Sequence, residues 1–364
     1  MMNVQRLPAE QQYQQQLNAL READTFAKPV GWQLSPKMVR TFILGSDQPI
    51  AGQTITRKIY GNDAAVERAI VTLLGQQGLL LVGEPGTAKS LLSELLTAAI
   101  SGNSTLTVQG SAGLFEENIR YSWNYAALLK SGPTLEAMVP GPLYQSMKNG
   151  AIMRFEELTR CPTEVQDSLI PVLSDRILHV PEIQNEQNYL LSQPGFNIIA
   201  TANLNDRGVN QISSALKRRF NFETLKPLAQ RKDRIELVLG QVNDRLEHDD
   251  IGLRLDQDTA TLLVTVFDEL KSGTVAGIAI DSPSTLLSVP EAINLAVHAA
   301  MQCHYFGEQA ITPAHLATYL QGAVIKDNQK DEACLQDYLR VIKRKRSDDP
   351  LWQSFLEGCR NAGC

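Results

Sequence analysis

Gly78-Leu79-Leu80-Leu81-Val82-Gly83-Glu84-Pro85-Gly86-Thr87-Ala88-Lys89-Ser90-Leu91-Leu92-Ser93-Glu94-Leu95-Leu96 is the stretch on which the fold turns. An apolar run leads into a Gly/Pro-rich turn and then into apolar residues at helical spacing, so the pattern is strand, tight loop, helix N-terminus. Glycines let backbone N–H groups converge on an anion, and the helix dipole adds partial positive charge at the same place. Lys89 is placed to reach the β/γ-phosphates of a nucleotide and the Ser90 hydroxyl to ligate Mg²⁺. The candidate nucleotide-binding residues are therefore Gly83, Glu84, Pro85, Gly86, Thr87, Ala88, Lys89, Ser90 and Leu91. Ala88 stands where a second glycine is usual, which predicts an αR-compatible backbone there with the amide donor kept.

Outward from this loop, short Val/Ile/Leu-rich runs alternate with amphipathic segments, the signature of a parallel sheet covered on both faces. Five strands are predicted, at 78–82, 105–109, 151–155, 196–201 and 221–225. Beyond residue 229 no such run recurs. Segments 233–247, 257–271, 289–302, 313–325 and 331–345 read as helices, with Pro290 and Pro313 in first turns. Upstream, Leu17, Leu20 and Phe26 at roughly helical spacing predict a helical N-terminal extension. The expected organisation is an extension over 1–55, an α/β nucleotide-binding domain over 56–228, an all-helical domain over 229–325 and a helical tail over 326–364.

A nucleotide hydrolase needs one carboxylate for the metal and another to polarise water, both at the carboxyl end of a strand beside the phosphate loop. The strand at 151–155 ends in Glu156-Glu157-Leu158-Thr159-Arg160. Neighbouring side chains in a strand point to opposite faces, which suits one metal role, Glu156, and one general base, Glu157. The strand at 196–201 is followed by Ala202-Asn203-Leu204-Asn205. Asn203 is either a turn residue or, given its order behind the other two elements, the amide that holds the attacking water.

The chain has 364 residues, 40 acidic against 34 basic, a net charge of −6 and 43% apolar residues. That balance counts against a dedicated binder of nucleic acid backbone. No signal peptide or run of about 18 apolar residues is visible, so a cytoplasmic protein with no membrane contact is expected. Cys161, Cys303, Cys334, Cys359 and Cys364 are odd in number and lack CxxC spacing, which predicts reduced thiols. His298, Cys303, His304 and His315 match no zinc spacing and are read as packing residues. The basic run 340–346 is read as a cationic helix end.

These motifs in this order resemble the AAA+ ATPases, and more closely their MoxR-like branch, over roughly residues 60–325. The phosphate loop, the Gly141-Pro142-Leu143-Tyr144 segment, Glu156-Glu157-Leu158-Thr159-Arg160 and Ala215-Leu216-Lys217-Arg218-Arg219-Phe220 carry the resemblance. It implies a P-loop NTPase core with a parallel five-stranded sheet followed by an all-helical lid. It also implies a ring, usually hexameric, with ATP and Mg²⁺ bound between neighbours and hydrolysed to remodel or activate a partner protein, often of von Willebrand A type. Arg219, or second Arg218, then matches the arginine finger that stabilises transition-state charge in a neighbour's site. A helix end carrying cations for dipole reasons is the other reading of the pair. Arg160 is a further residue that could reach a neighbour.

Two departures stand out. Glu156 replaces the usual Asp, and the lid segment Asp281-Ser282-Pro283-Ser284-Thr285 lacks the sensor arginine of the branch, with Arg120 or Lys271 as possible substitutes. The segment 111–149 is longer than the fold requires and carries Trp123, Tyr125, Met138 and Tyr144, either as packing residues or as a grip on a polypeptide. A nucleic-acid motor or loader and a nucleotide-gated scaffold with little turnover are the alternative functions.

Overall fold

The computed structural model describes residues 4–183, 188–204, 206, 208–284, 287–326 and 328–363. The chain divides into two compact units, Met1–Pro227 and Leu228–Cys364. The first runs through α1 (Gln14–Ala23), α2 (Pro36–Leu44), α3 (Asp63–Leu74), β1 (Gly78–Val82), α4 (Lys89–Ser101), β2 (Thr107–Gln109), α5 (Pro142–Asn149), β3 (Ile152–Glu156), β4 (Asn197–Ala202) and β5 (Phe220–Thr224).

The five strands form one parallel sheet in the order β2-β3-β4-β1-β5. Each lies within two residues of its predicted bounds. Every residue of β1, β3 and β4 is buried, as expected for strands covered on both faces. Leu79 and Leu81 pack into one core with α4, while Leu80 and Val82 pack into the core on the other face.

The N-terminal helices belong to the first of these cores. Leu17, Leu20, Leu34 and Phe42 pack with Leu92, Leu95 and Ile100 of α4. Polar ties fix the same contact: Arg6 pairs with Glu94 at 2.6 Å, and the Gln33 N–H donates to the Ile100 carbonyl at 2.7 Å. Phe26 departs from the helical reading. Asp24 ends α1 and accepts from the N–H groups of Phe26 and Ser35, so the chain turns away and Phe26 lies exposed under the Lys37 ammonium. Gly31, Gly150 and Gly195 meet backbone to backbone, and a Cβ on Gly31 would lie 2.3 Å from the Pro194 carbonyl oxygen.

Two excursions leave the sheet. Residues Tyr121–Trp123 and Met138–Pro140 pair antiparallel around a short helix, Tyr125–Ser131. Met138 and Tyr144 are buried, whereas Tyr125 is 74% exposed. A second antiparallel pair, Ile177–His179 with Tyr189–Leu191, has no counterpart in the sequence reading.

The second unit contains α6 (Arg231–His248), α7 (Gln257–Ser272), α8 (Val289–Phe306), α9 (Pro313–Val324), α10 (Gln329–Lys345) and α11 (Pro350–Ala362) around one core. The expectation of a purely helical lid needs one correction. Thr274–Val275 and Ile278–Ala279 form a small hairpin, because Ala276 and Gly277, both at positive φ, turn the chain back on itself. α8 and α9 begin with Pro in the first turn and with capping boxes, Ser288 with Glu291 and Thr312 with His315. His315 is thus a capping residue, and His298 lies against Tyr319. Among the described residues no three or more His, Cys, Asp or Glu side chains are grouped so as to hold a metal ion among themselves, and no helix is long and apolar enough to cross a membrane. Burial pushes the thiols of Cys161, Cys303 and Cys334 up. Cys364 lies outside the described residues.

Candidate functional site

Three parallel neighbours, β3, β4 and β1, end on the same side of the sheet, and the loop 83–88 with the start of α4 lies there. Gly83 and Gly86 have positive φ. A Cβ on Gly83 would meet the Leu225 carbonyl oxygen at 2.5 Å, so the loop lies tight against the end of β5. Ala88 overturns its predicted conformation: it sits at φ 63°, ψ 26°, in the left-handed region, and no side chain caps the helix it opens. Holding a non-glycine residue there costs about 1–2 kcal/mol. In return the first-turn N–H groups of α4 are aimed into the loop.

Lys89 folds over this loop. Its ammonium donates to the carbonyls of Gly83 and Glu84, both at 2.8 Å. Burial pulls its pKa down, opposed by Glu157, Glu156 and Glu84. Thr87 Oγ1 donates to the Glu84 carbonyl at 2.8 Å.

Glu156 is 6% exposed and accepts four hydrogen bonds. Its Oε2 takes the hydroxyls of Ser90 at 2.7 Å and Thr201 at 2.8 Å; its Oε1 takes Arg154 Nη2 at 2.9 Å and the Ser93 hydroxyl at 3.1 Å. Glu157 points elsewhere. It is in the left-handed region at φ 54°, its N–H donates to Thr201 Oγ1 at 3.0 Å, and its half-exposed carboxylate pairs with Arg160 at 2.5 Å. Arg160 also reaches Asp206 at 2.7 Å, so its partners are on its own chain. Thr201 is the shared point, accepting from the Glu157 amide while donating to the Glu156 carboxylate.

The donor set suits Mg²⁺. Ser90 Oγ and Glu156 Oε2 are hard oxygen ligands 2.7 Å apart, close to the edge of about 2.9 Å expected of an octahedral shell with bonds of 2.0–2.1 Å. Asn203 follows the register pair Val82↔Ala202, which places it, half-buried, next to the start of the loop. Asn205 lies outside the described residues.

Arg218 and Arg219 are not brought to this site. Phe220 is in register with Gly78, at the amino end of β1, and a five-residue strand spans about 16 Å. Arg219 is held there by Ser174 Oγ at 2.9 Å and the Ala215 carbonyl at 3.2 Å, and Arg218 is exposed. Arg120 pairs with Glu116 and donates to the His179 carbonyl at 2.7 Å. Lys271 lies in the last turn of α7. In the lid, Asp331 accepts from both the N–H and the hydroxyl of Ser284, each at 2.7 Å. Thr285 lies outside the described residues.

Arg154, Ser93 and Thr201 are absent from the sequence reading. A cation inside the apolar run 151–155 and a serine three residues after Ser90 were the available signals.

Residues 78–220 match the AAA domain (dynein-related subfamily), and residues 232–361 match the YehL-like AAA+ ATPase C-terminal domain. The protein YehL of Escherichia coli (strain K12), described as uncharacterized, is 44% identical over 357 residues, covering 98% of this chain and 97% of that protein. The chaperone MoxR1 of Mycobacterium tuberculosis is 27% identical over 170 residues, covering 46% of this chain and 41% of its own length. Among solved structures, NtrX from Brucella abortus in complex with ATP gives a TM-score of 0.49 at 15% identity, over 81% of this chain and 61% of that one. With a relative of this identity spanning nearly the whole chain, and family matches to both of its units, the chain belongs to the YehL-like AAA+ ATPases, which carry a MoxR-type AAA domain.

Proposed function

We propose that the chain binds ATP with Mg²⁺ at residues 83–91, hydrolyses it at the interfaces of a ring, and uses the turnover to remodel or activate a partner protein. The carrying observation is that Ser90, Glu156, Glu157 and Thr201 are joined by hydrogen bonds at the carboxyl ends of neighbouring strands, beside the phosphate loop. The uncapped amides of α4 bind phosphate oxygens, and the Lys89 ammonium exchanges its loop carbonyls for them. Ser90 and Glu156 would hold Mg²⁺, which when bound neutralises phosphate charge. Glu157 takes the proton of the attacking water, and Asn203 fixes that water from the next strand.

Arg219, with Arg218 beside it, lies a strand length from its own loop, so its charge is available only to a neighbouring subunit. That arrangement supports a ring, with six subunits the number the MoxR-like resemblance implies. The chaperone description of MoxR1 supports a protein substrate, and a von Willebrand A-type partner follows from the same resemblance.

ATP hydrolysis by the purified chain, measured beside Glu157→Gln, tests the reading. The variant should keep nucleotide binding and lose about 10²-fold or more in turnover. An inactive parent, or a variant as active as the parent, removes the catalytic assignment. Clear stimulation by single-stranded or duplex DNA in the same assay would favour a nucleic-acid motor instead.

A further inference from the structure

β3 is buried throughout, yet Arg154 stands in its middle. Strand alternation puts Ile152, Arg154 and Glu156 on one face, and on that face the polar pair meets α4. Arg154 Nη2 lies 2.9 Å from Glu156 Oε1 and 3.3 Å from the Ser90 carbonyl; Nε donates to Ser93 Oγ at 3.0 Å and Nη1 to the Ser104 carbonyl at 3.1 Å. Ser93 passes the interaction on, donating to the same Oε1 at 3.1 Å. Oε1 of Glu156 is therefore taken up by Arg154 and Ser93, and Oε2, which also accepts from Thr201, is the oxygen that faces Ser90.

A buried carboxylate has to be compensated. When the cation that does so is an exchangeable metal, the metal contributes strongly to whatever binds there. Here the compensating charge is part of the chain. A divalent cation at Ser90 would have to share Glu156 with the Arg154 guanidinium, and the two cations repel each other.

We infer that Arg154 is a built-in counter-ion for Glu156, a specificity-determining residue that makes ATP binding at residues 83–91 only weakly dependent on divalent metal. The longer side chain of Glu156, in place of the usual Asp, reaches both the guanidinium and Ser90, so Arg154 and Glu156 act as a matched pair. This rests on the nucleotide-site reading above.

Equilibrium titration of the full chain with ATP, in excess Mg²⁺ and again in EDTA, tests it without reference to turnover. The parent affinities should differ by less than about threefold, whereas Arg154→Leu combined with Glu156→Asp should show about tenfold or greater tightening by Mg²⁺. A parent that Mg²⁺ tightens about tenfold or more overturns the role of Arg154. So does a folded double variant that is as indifferent to metal as the parent. If circular dichroism shows the double variant unfolded, the two parent titrations decide alone. Failure of the parent to bind ATP in either buffer overturns the nucleotide-site reading itself.

Discussion

Buried cations in the first unit are handled in two ways. Arg154 has a carboxylate, whereas the ammonium of Lys58 is surrounded by neutral oxygens: Gln16 Oε1 at 2.8 Å, the Phe42 carbonyl at 2.7 Å and the Thr56 carbonyl at 2.9 Å. The rings of Tyr13 and Phe42 lie over it. Burial pulls its pKa from the ordinary 10.5 down to about 7. The folded protein therefore holds fewer protons than the unfolded chain between those values, and stability from this group rises with pH across that window. The penalty is complete below pH 7. The gain in urea midpoint between pH 6.5 and pH 9.5 should be larger for the parent than for Lys58→Met; equal gains would show that Lys58 folds as the charged species at both pH values. Nothing in the sequence separates Lys58 from any other lysine, since its surroundings come from Phe42, 16 residues away, and Gln16, 42 residues away.

At the scale of elements, α9 and α11 cross without room for a side chain. Gly358 lies in α11, and a Cβ there would meet the Ala314 carbonyl oxygen at 2.3 Å. Gly358→Ala should destabilise the protein by about 1–3 kcal/mol, despite the better helix propensity of alanine, because neither backbone can yield without moving a packed helix. A thermal melt reads this directly, and an unchanged or raised midpoint would show that the crossing relaxes freely. Helix pairs of this kind leave little trace in sequence, where Gly358 looks like any mid-helix glycine. The central strands β1, β3 and β4 were legible because each is an apolar run covered on both faces, and the edge strands β2 and β5, partly exposed, were legible from their place between helical segments. The pair Ile177–His179 and Tyr189–Leu191 was not, since its three-residue strands are partly exposed and show no sustained alternation. In the candidate site the phosphate loop and both glutamates were legible from residue type and order. Thr201 and Arg154 were not, because their roles depend on which strand lies beside which.

For the whole molecule, if Arg219 serves a neighbour's nucleotide as proposed, its place at the amino end of the sheet leaves each subunit's own site without it. Two inactive proteins should then repair each other. Mixing Glu157→Gln with Arg219→Ala subunits under exchange conditions makes some interfaces that take Glu157 from one parent and Arg219 from the other, about a quarter of them in a random ring with head-to-tail contacts. Hydrolysis should reappear in the mixture. Its absence, with exchange confirmed by a fluorescent label, would argue against a finger acting between subunits.

The N-terminal segment packed on α4 also bears on how the protein is made. Residues 9–44 leave the ribosome before residues 89–101, by roughly 2–11 seconds at ordinary rates of synthesis. The cover for Leu92, Leu95 and Ile100 is thus waiting when that greasy helix emerges, well before β3, β4 and β5 exist. Vectorial synthesis shields the helix that opens at the phosphate loop during the interval when a nascent chain is most prone to stick to its neighbours.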